Sequence, residues 1–559
     1  MNLELAREGI QRDWLEASKA HLRQMVLPAA ETYFAEGGTP FTQNHPQLKK
    51  SEMVQRFFDY QPCCMSVLGS IAKEGDERAL VLIRRIFANT RYCLDEWRER
   101  EGFRITFRRA QLHMVLCYAQ LREIVEPAEA EEWRGLLLRT GADVFAHFNA
   151  FWERNLNLDN RGFGTGINHV SLSAEGMWKS GEVLGRPDWQ IAAAGFVDRL
   201  LSYAHRDGYF EENTNDSREG GPSILYTPLT AGSVYLTQHW RKQVDVPLFS
   251  KIGQFSRLFV DAHLNPMPFA DERANPHHQG PYGLALHSLT PEGRGFLRLT
   301  LEKIRMIDHV GGDIYMQHLA RTYLELDHME TGPGEVPEPF CEGHHRLTLP
   351  LGVIRTNGWT AGLSSLKALN REIAAQSDYA LDRQSLLHLS HATAGRILEG
   401  SKAKHNPDWS TVRLDDDAYP TQTGDLDVHS EGARARVIYS GFAVEITWTL
   451  GETAELKMAS DFKGTLTTQL PLEMAIGDTF VLNKEQTVTL GDQAARFEHV
   501  QSLTSDRWQV ETDQPGCLVW YIEPFSPYSE GNKTARDSWR PTLILNWEGR
   551  LRVSFRPLT

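Results

Sequence analysis

Sulfur, positive charge and long apolar runs are all scarce in this chain. Six cysteines are spread over 559 residues (Cys63, Cys64, Cys93, Cys117, Cys341 and Cys517), with no CxxC pair among them. Neither a disulfide framework nor a cysteine-based zinc frame is therefore expected, and buried free thiols are the ordinary reading of Cys93 and Cys117. Lys plus Arg total 59 against 73 Asp plus Glu, a formal charge of −14, which excludes a general nucleic-acid binder. No apolar run approaches the roughly 18 residues that a membrane span needs, and the opening MNLELAREGIQRDWLEASKA has no apolar signal segment. The expectation is a cytoplasmic protein without a membrane partner, a trimmed secreted form remaining open. There is no GxxxxGK[ST], no HExxH and no GxSxG, and GFGTGIN follows a helical run rather than a strand. Nucleotide-binding, zincin and α/β-hydrolase chemistry fall away with these motifs.

What is present is an ordinary globular balance, 41% apolar and 24% charged, in a chain long enough for two or more cores. Between about residues 51 and 329 apolar residues recur at helical spacing in ERALVLIRRIFANTRYCLDEW, TFRRAQLHMVLCYAQLREIV, AEEWRGLLLRTGADVFAHFNAFW, PDWQIAAAGFVDRLLSYAH, PLFSKIGQFSRLFVDAHL and DIYMQHLARTYLELDHM. So many helices with short connections and no strict repeat predict a ring of helical hairpins. TGPGEVPEPF then reads as a linker. Beyond it, ARVIYSGFAVEITWTL, TFVLNKEQTVTL, GCLVWYIEPF and TLILNWEGRLRVSFRPL are rich in Val, Ile, Thr and aromatics with partial alternation. The fold class expected is therefore α+β in two domains: helical over 1–330, a linker over 331–345, and an antiparallel β-sandwich over 346–559.

Three stretches carry candidate chemistry. Gly162-Phe163-Gly164-Thr165-Gly166-Ile167-Asn168-His169 reads as a tight turn with Asn168 as N-cap, which places Asn168 and His169 at the positive end of a helix, where an amide and an imidazole can bind a carboxylate. DGYFEENTNDSREGGPSILYTPLT crowds Glu212, Asp216 and Arg218 ahead of a helix that begins near Tyr226, a phenol able to project into a cleft. PMPFADERANPHHQGPYG is a long polar connection in which Arg273 can clamp a carboxylate, while the adjacent His277 and His278 are a weak metal signal. Trp178 is a candidate stacking platform.

Asn168-His169 at a helix start, followed by the DG…E…Y segment in a helical domain ahead of a β-sandwich, resembles the heparinase II/III-like and alginate-lyase-like polysaccharide lyases. The resemblance implies an incomplete (α/α) toroid joined to an antiparallel β-sandwich, and β-elimination on uronate-containing glycans. It implies that Asn168 and His169 neutralise the uronate carboxylate and that Tyr226 serves as acid and base, with Arg218, Glu212, Arg273, His278, Trp178 and Tyr379 binding substrate. No cofactor is required by that scheme, although a structural divalent metal is not identifiable either way. The partner implied is an acidic oligo- or polysaccharide, with a homo-oligomer compatible with the sequence. The family's sandwich-domain histidine motif is altered here to SDYALDRQSLLHLSH, leaving Tyr379, His388 and His391 as alternatives. Two other readings remain: a glycoside hydrolase built on paired carboxylates such as Glu175, Glu212 and Asp216, and a non-catalytic carbohydrate-binding protein.

Overall fold

The helices alternate between two burial patterns, and the alternation builds the ring. In the computed structural model the residues described are 3–34, 59–92, 94–95, 108–155, 167–210, 222–224, 226–267, 269, 283–307, 313–366, 387–398, 411–415, 417–418, 421–522 and 539–558. Among them thirteen helices precede the strands: α1 Leu3–Glu8, α2 Arg12–Tyr33, α3 Met65–Lys73, α4 Glu77–Tyr92, α5 Ala110–Leu121, α6 Pro127–Asn155, α7 Ile167–Leu184, α8 Pro187–Leu201, α9 Tyr226–Arg241, α10 Val246–Leu258, α11 Leu284–His287, α12 Pro291–Arg305 and α13 Asp313–Leu326. Helix α8 buries Trp189, Ala193, Phe196, Val197 and Leu200, a single stripe, so it lies outside with one face to water. Helix α5 buries Ala110, Gln111, Leu112, His113, Met114, Val115, Cys117, Tyr118 and Leu121, nearly its whole circumference, so it lies inside. Helices α3, α7 and α9 are likewise buried almost all round, whereas α4 and α10 are one-faced.

Because every second helix is an inner one, α5, α7 and α9 run in the same direction and start at the same rim. Connections from inner to outer helix are short, over 74–76, 122–126, 185–186 and 242–245; those from outer to inner are long, over 93–109, 156–166, 202–225 and 259–283. The rim with the long connections is the mouth of the ring. Asp59 ties two neighbouring starts there: its Oδ1 accepts the backbone N–H groups of Arg109, at 2.6 Å, and Ala110, and caps α5.

After Leu326 the chain turns to strands. Of the 331–345 segment, expected as a linker, the part from Gly332 to Glu338 is docked onto the ring, and its last three residues open the first strand. Gly332 and Ile10 exchange backbone hydrogen bonds at 2.9 Å, and Glu338 grips buried Arg257 through two bonds of 2.6 and 2.8 Å. Strands β1 Gly343–Arg346, β2 Leu351–Thr356, β3 Trp359–Ser364, β4 Leu387–His391 and β5 Gly395–Leu398 form one antiparallel sheet in that order. The remaining strands form a second, thirteen-stranded antiparallel sheet. Its strand β10, Phe442–Leu450, alternates strictly, turning Phe442, Val444, Ile446, Trp448 and Leu450 inward.

The small sheet does not alternate because both of its faces are covered. Leu363, Leu387, Leu389 and Ile397 join the core shared with the large sheet. On the other face Leu351, Val353 and Leu366 share an apolar cluster with Tyr209, Ile224, Phe255, Phe259 and Phe269 of the helical domain. Polar locks frame this interface. Arg355 donates to the carbonyls of Leu258 and Val260, Arg396 to that of Pro266, and Thr348 is held by both carboxylate oxygens of Asp207. Residues 202–210 and 259–269 are mouth connections, so the small sheet faces the mouth of the ring. Among the described residues no helix is long and apolar enough to cross a membrane.

Candidate active site

Helix α7 begins at Ile167, so Asn168 and His169 lie within its first turn. The expected N-cap role of Asn168 is corrected on this point: the helix begins two residues earlier than an N-cap at Asn168 requires, and the Asn168 side chain caps nothing. Its amide is wholly buried, and neither its oxygen nor its nitrogen has a partner among the described residues. A buried amide left open costs about 1–3 kcal/mol. Such a group marks a site whose partner is a ligand or an ordered water.

Tyr226 is the first residue of α9, where its backbone N–H donates to Ser223 Oγ at 3.1 Å. The next residue, Thr227, exchanges hydrogen bonds of 3.3 and 3.4 Å between its hydroxyl and the backbone of Phe210. That bond pins the start of α9 to the connection leaving α8, while the Tyr226 ring stays half-buried.

One turn deeper than these residues, Leu172 and Leu229 line a common cavity with Arg109, Leu112, His113, Glu175, Gln317 and Arg321. Asn168, His169 and Tyr226 thus each lie about one turn before a residue that lines this cavity, at helix starts where free N–H groups favour negative charge. The cavity has room for about one water molecule. Gln317 Oε1 and Arg321 Nη2, both buried and without a partner among the described residues, are suited to hold it.

The floor is a buried ion triad. Arg321 Nη1 holds both oxygens of Glu175 at 2.7 and 2.6 Å, and its Nε donates to Glu325 at 2.8 Å. Burial pushes the Glu175 carboxyl up to about 7 against the pull of Arg321. Burial works against the charged form of Arg321 too, but the two carboxylates outweigh it and hold the guanidinium above its usual range. Beside the triad, His113 shares a 2.7 Å hydrogen bond with Ser66. Burial, with Arg321 adding to it, pulls this imidazole down to about 3.

The small sheet supplies a further candidate. Leu387 and Leu389 of β4 turn toward the large sheet, which leaves His388 on the face toward the ring. There His388 lies opposite Gly362 in the register, its ring 6.3 Å from that of Phe269. It is fully buried, with both nitrogens unpartnered among the described residues. Burial, then the nearby Arg396 and Arg355, hold it well below the usual imidazole range. His391 instead bonds Thr393 through Nδ1 and lies edge-on to Trp359.

Other expected residues fare differently. Trp178 packs on the helical core with Arg241 over its ring. Ten residues beyond Asn168 it stands roughly 15 Å along the helix, and the structure does not bring it to the mouth. Glu212, Asp216, Arg218, Arg273, His278 and Tyr379 lie outside the described residues. Sequence reasoning missed Asp59, Arg108, His113 and Arg321. The available signal was polar residues set in helices otherwise buried all round, as in AQLHMVLCYAQL. Among the described residues no group of three or more His, Cys, Asp and Glu is placed to hold a metal ion.

No family model matches the chain and no curated protein matches it. Solved structures do. The chain superposes on heparinase III with a TM-score of 0.52 at 11% identity, covering 88% of this chain and 75% of that one. It superposes on a xanthan lyase from Paenibacillus with a TM-score of 0.55 at 10% identity, covering 100% of this chain and 59% of that one. The chain thus has the toroid plus β-sandwich fold of these lyases.

Proposed function

We propose that this chain is a polysaccharide lyase that cleaves a uronate-containing glycan by β-elimination at the mouth of the ring. The observation that carries the reading is the wholly buried Asn168 amide, left without a partner among the described residues in the first turn of α7, with Tyr226 opening the inner helix that follows in the ring. The two solved structures sharing the fold, named as a heparinase and a xanthan lyase, support it.

The chemistry follows from the substrate. A uronate C5 proton is weakly acidic, and its removal drives charge onto the adjoining carboxylate. The open amide of Asn168, the imidazole of His169 and the first-turn N–H groups of α7 are the donors that stabilise that charge. A base takes the C5 proton, the C4–O bond breaks as the C4–C5 double bond forms, and an acid returns a proton to the leaving oxygen. Tyr226 performs both transfers when proton and leaving group share a face. When they do not, His388, neutral through burial, is the base and Tyr226 the acid. This scheme calls for no metal or organic cofactor. The net charge of −14 favours uronates of low sulfation over heavily sulfated glycans.

Glu175, the central carboxylate of the hydrolase alternative, has both oxygens engaged by Arg321, which ties it into the ion triad and away from a glycosidic oxygen. The deciding experiment incubates the protein with alginate, glucuronan, hyaluronan, chondroitin and desulfated heparin, following ultraviolet absorbance and reducing ends together. Absorbance rising with reducing ends is the expected result; reducing ends without absorbance would mean hydrolysis and overturn the proposal.

A further inference from the structure

Arg108, two residues before the start of α5, meets His169, its Nη1 against the imidazole Nδ1. A guanidinium has only donors and stays charged at any working pH. In this contact Arg108 must donate, so Nδ1 must offer its lone pair and carry no proton. We infer that Arg108 is a positioning residue that fixes His169 as the neutral Nε2–H tautomer.

The arrangement behind Arg108 is built for this. Fully buried Asp59 places Oδ2 3.9 Å from Arg108 Nε and 2.9 Å from Arg109 Nη1. Its Oδ1 meanwhile caps the helix that both arginines precede. Asp59 thereby fixes the backbone from which Arg108 extends and supplies the counter-charge that keeps a guanidinium at a half-buried position. The order is carboxylate, guanidinium, imidazole. A second proton on His169 would set N–H against N–H at Nδ1, so the ring cannot take up a proton there while Arg108 is in place.

Resting on the lyase reading, the consequence is a division of labour. His169, with Nδ1 occupied and Nε2 already protonated, is a hydrogen-bond donor to the charge developing on the uronate carboxylate. It is no base, and proton abstraction falls to Tyr226 or His388.

The test is the protonation pattern of His169 in the full chain, labelled with ¹⁵N in its histidines and read by long-range proton–nitrogen correlation, with the signal assigned by its loss in His169→Gln. The expected spectrum shows a bare Nδ1 and a protonated Nε2. Arg108→Met should release the ring into a mixture of tautomers, and Arg108→Lys, whose ammonium also only donates, should restore Nε2–H. A protonated Nδ1 in the wild-type protein, or an unchanged spectrum in Arg108→Met, overturns the inference; the wild-type spectrum decides even if the variant folds poorly. On a glycan that the absorbance assay identifies, Arg108→Met should lower kcat by about 10²–10³-fold, as loss of one oriented donor does, with KM nearly unchanged and partial recovery in Arg108→Lys. The spectrum needs no substrate. The expected tautomer with no elimination on any glycan would sink the lyase reading and leave the role of Arg108 standing.

Discussion

Arg321 spans the centre of the ring to hold both carboxylate oxygens of Glu175, a residue 146 positions away. The same guanidinium serves Glu325 one turn along its own helix. Removing the cation leaves two buried carboxylates facing each other, and breaking a buried ion pair costs about 3–5 kcal/mol. Arg321→Met should lower stability by that amount at neutral pH, measured by urea unfolding. A loss near zero would mean that the triad is hydrated and carries no structural weight.

The pH dependence of the same group has a definite sign. Burial raises the folded-state Glu175 carboxyl from 4.5 to about 7, so the folded protein binds this proton more tightly than the unfolded chain. Its contribution is fully present below about 4.5 and is lost as pH rises through about 7, to the extent of ~3 kcal/mol. Glu175→Gln removes the titration. Relative to wild type the variant should gain stability between pH 5 and pH 7.5, whatever its offset at a single pH. Parallel curves would refute the raised carboxyl.

For Tyr226→Phe the expectation is loss of β-elimination with little change in melting temperature, because the ring is half-buried and the hydroxyl is what the chemistry requires. Elimination retained at the wild-type rate would remove Tyr226 from the mechanism.

His388→Leu separates structure from catalysis in the opposite way. Both ring nitrogens are buried and open among the described residues, so an apolar replacement of similar volume relieves desolvation and should leave the melting temperature unchanged or raise it. On a glycan whose C5 proton and leaving group lie on opposite faces, activity should fall at least tenfold. A destabilised variant with full activity would identify His388 as a packing residue alone.

At the interface, a Cβ placed on Gly362 would stand 2.4 Å from the Phe269 ring. Gly362→Ala should therefore push the small sheet off the mouth connection and cost about 1–3 kcal/mol, the usual penalty of overpacking, read as a lower denaturation midpoint.

The two periodicities in the sequence located the helices and the strands, since a 3.6-residue stripe and a two-residue alternation are local properties. Inner helices such as α5 and α7 were legible as helices but not as inner ones, because burial on every side erases the polar face that a pattern displays. The small sheet was hidden for the same reason. The helix starts that carry Asn168, His169 and Tyr226 were legible because glycine and proline precede them in the sequence. Asp59, Arg108 and Arg321 were not. Arg108 meets His169 61 positions away, and a partner at that separation leaves no local trace. The N-cap expected at Asn168 failed by two residues, since the helix already begins at Ile167.

The unequal connections on the two rims bear on how such a molecule changes over evolutionary time. Brief turns opposite the mouth set the curvature from one hairpin to the next, and lengthening one would open the ring. Lengthening a connection at the mouth alters only what overhangs the cleft, since loop closure costs little more as a loop grows. Acceptance of a new ligand can therefore arise by insertion, deletion or exchange of whole segments there. Homologous chains should accordingly differ in length at one rim and agree at the other, a pattern that a set of related sequences would reveal without any structure.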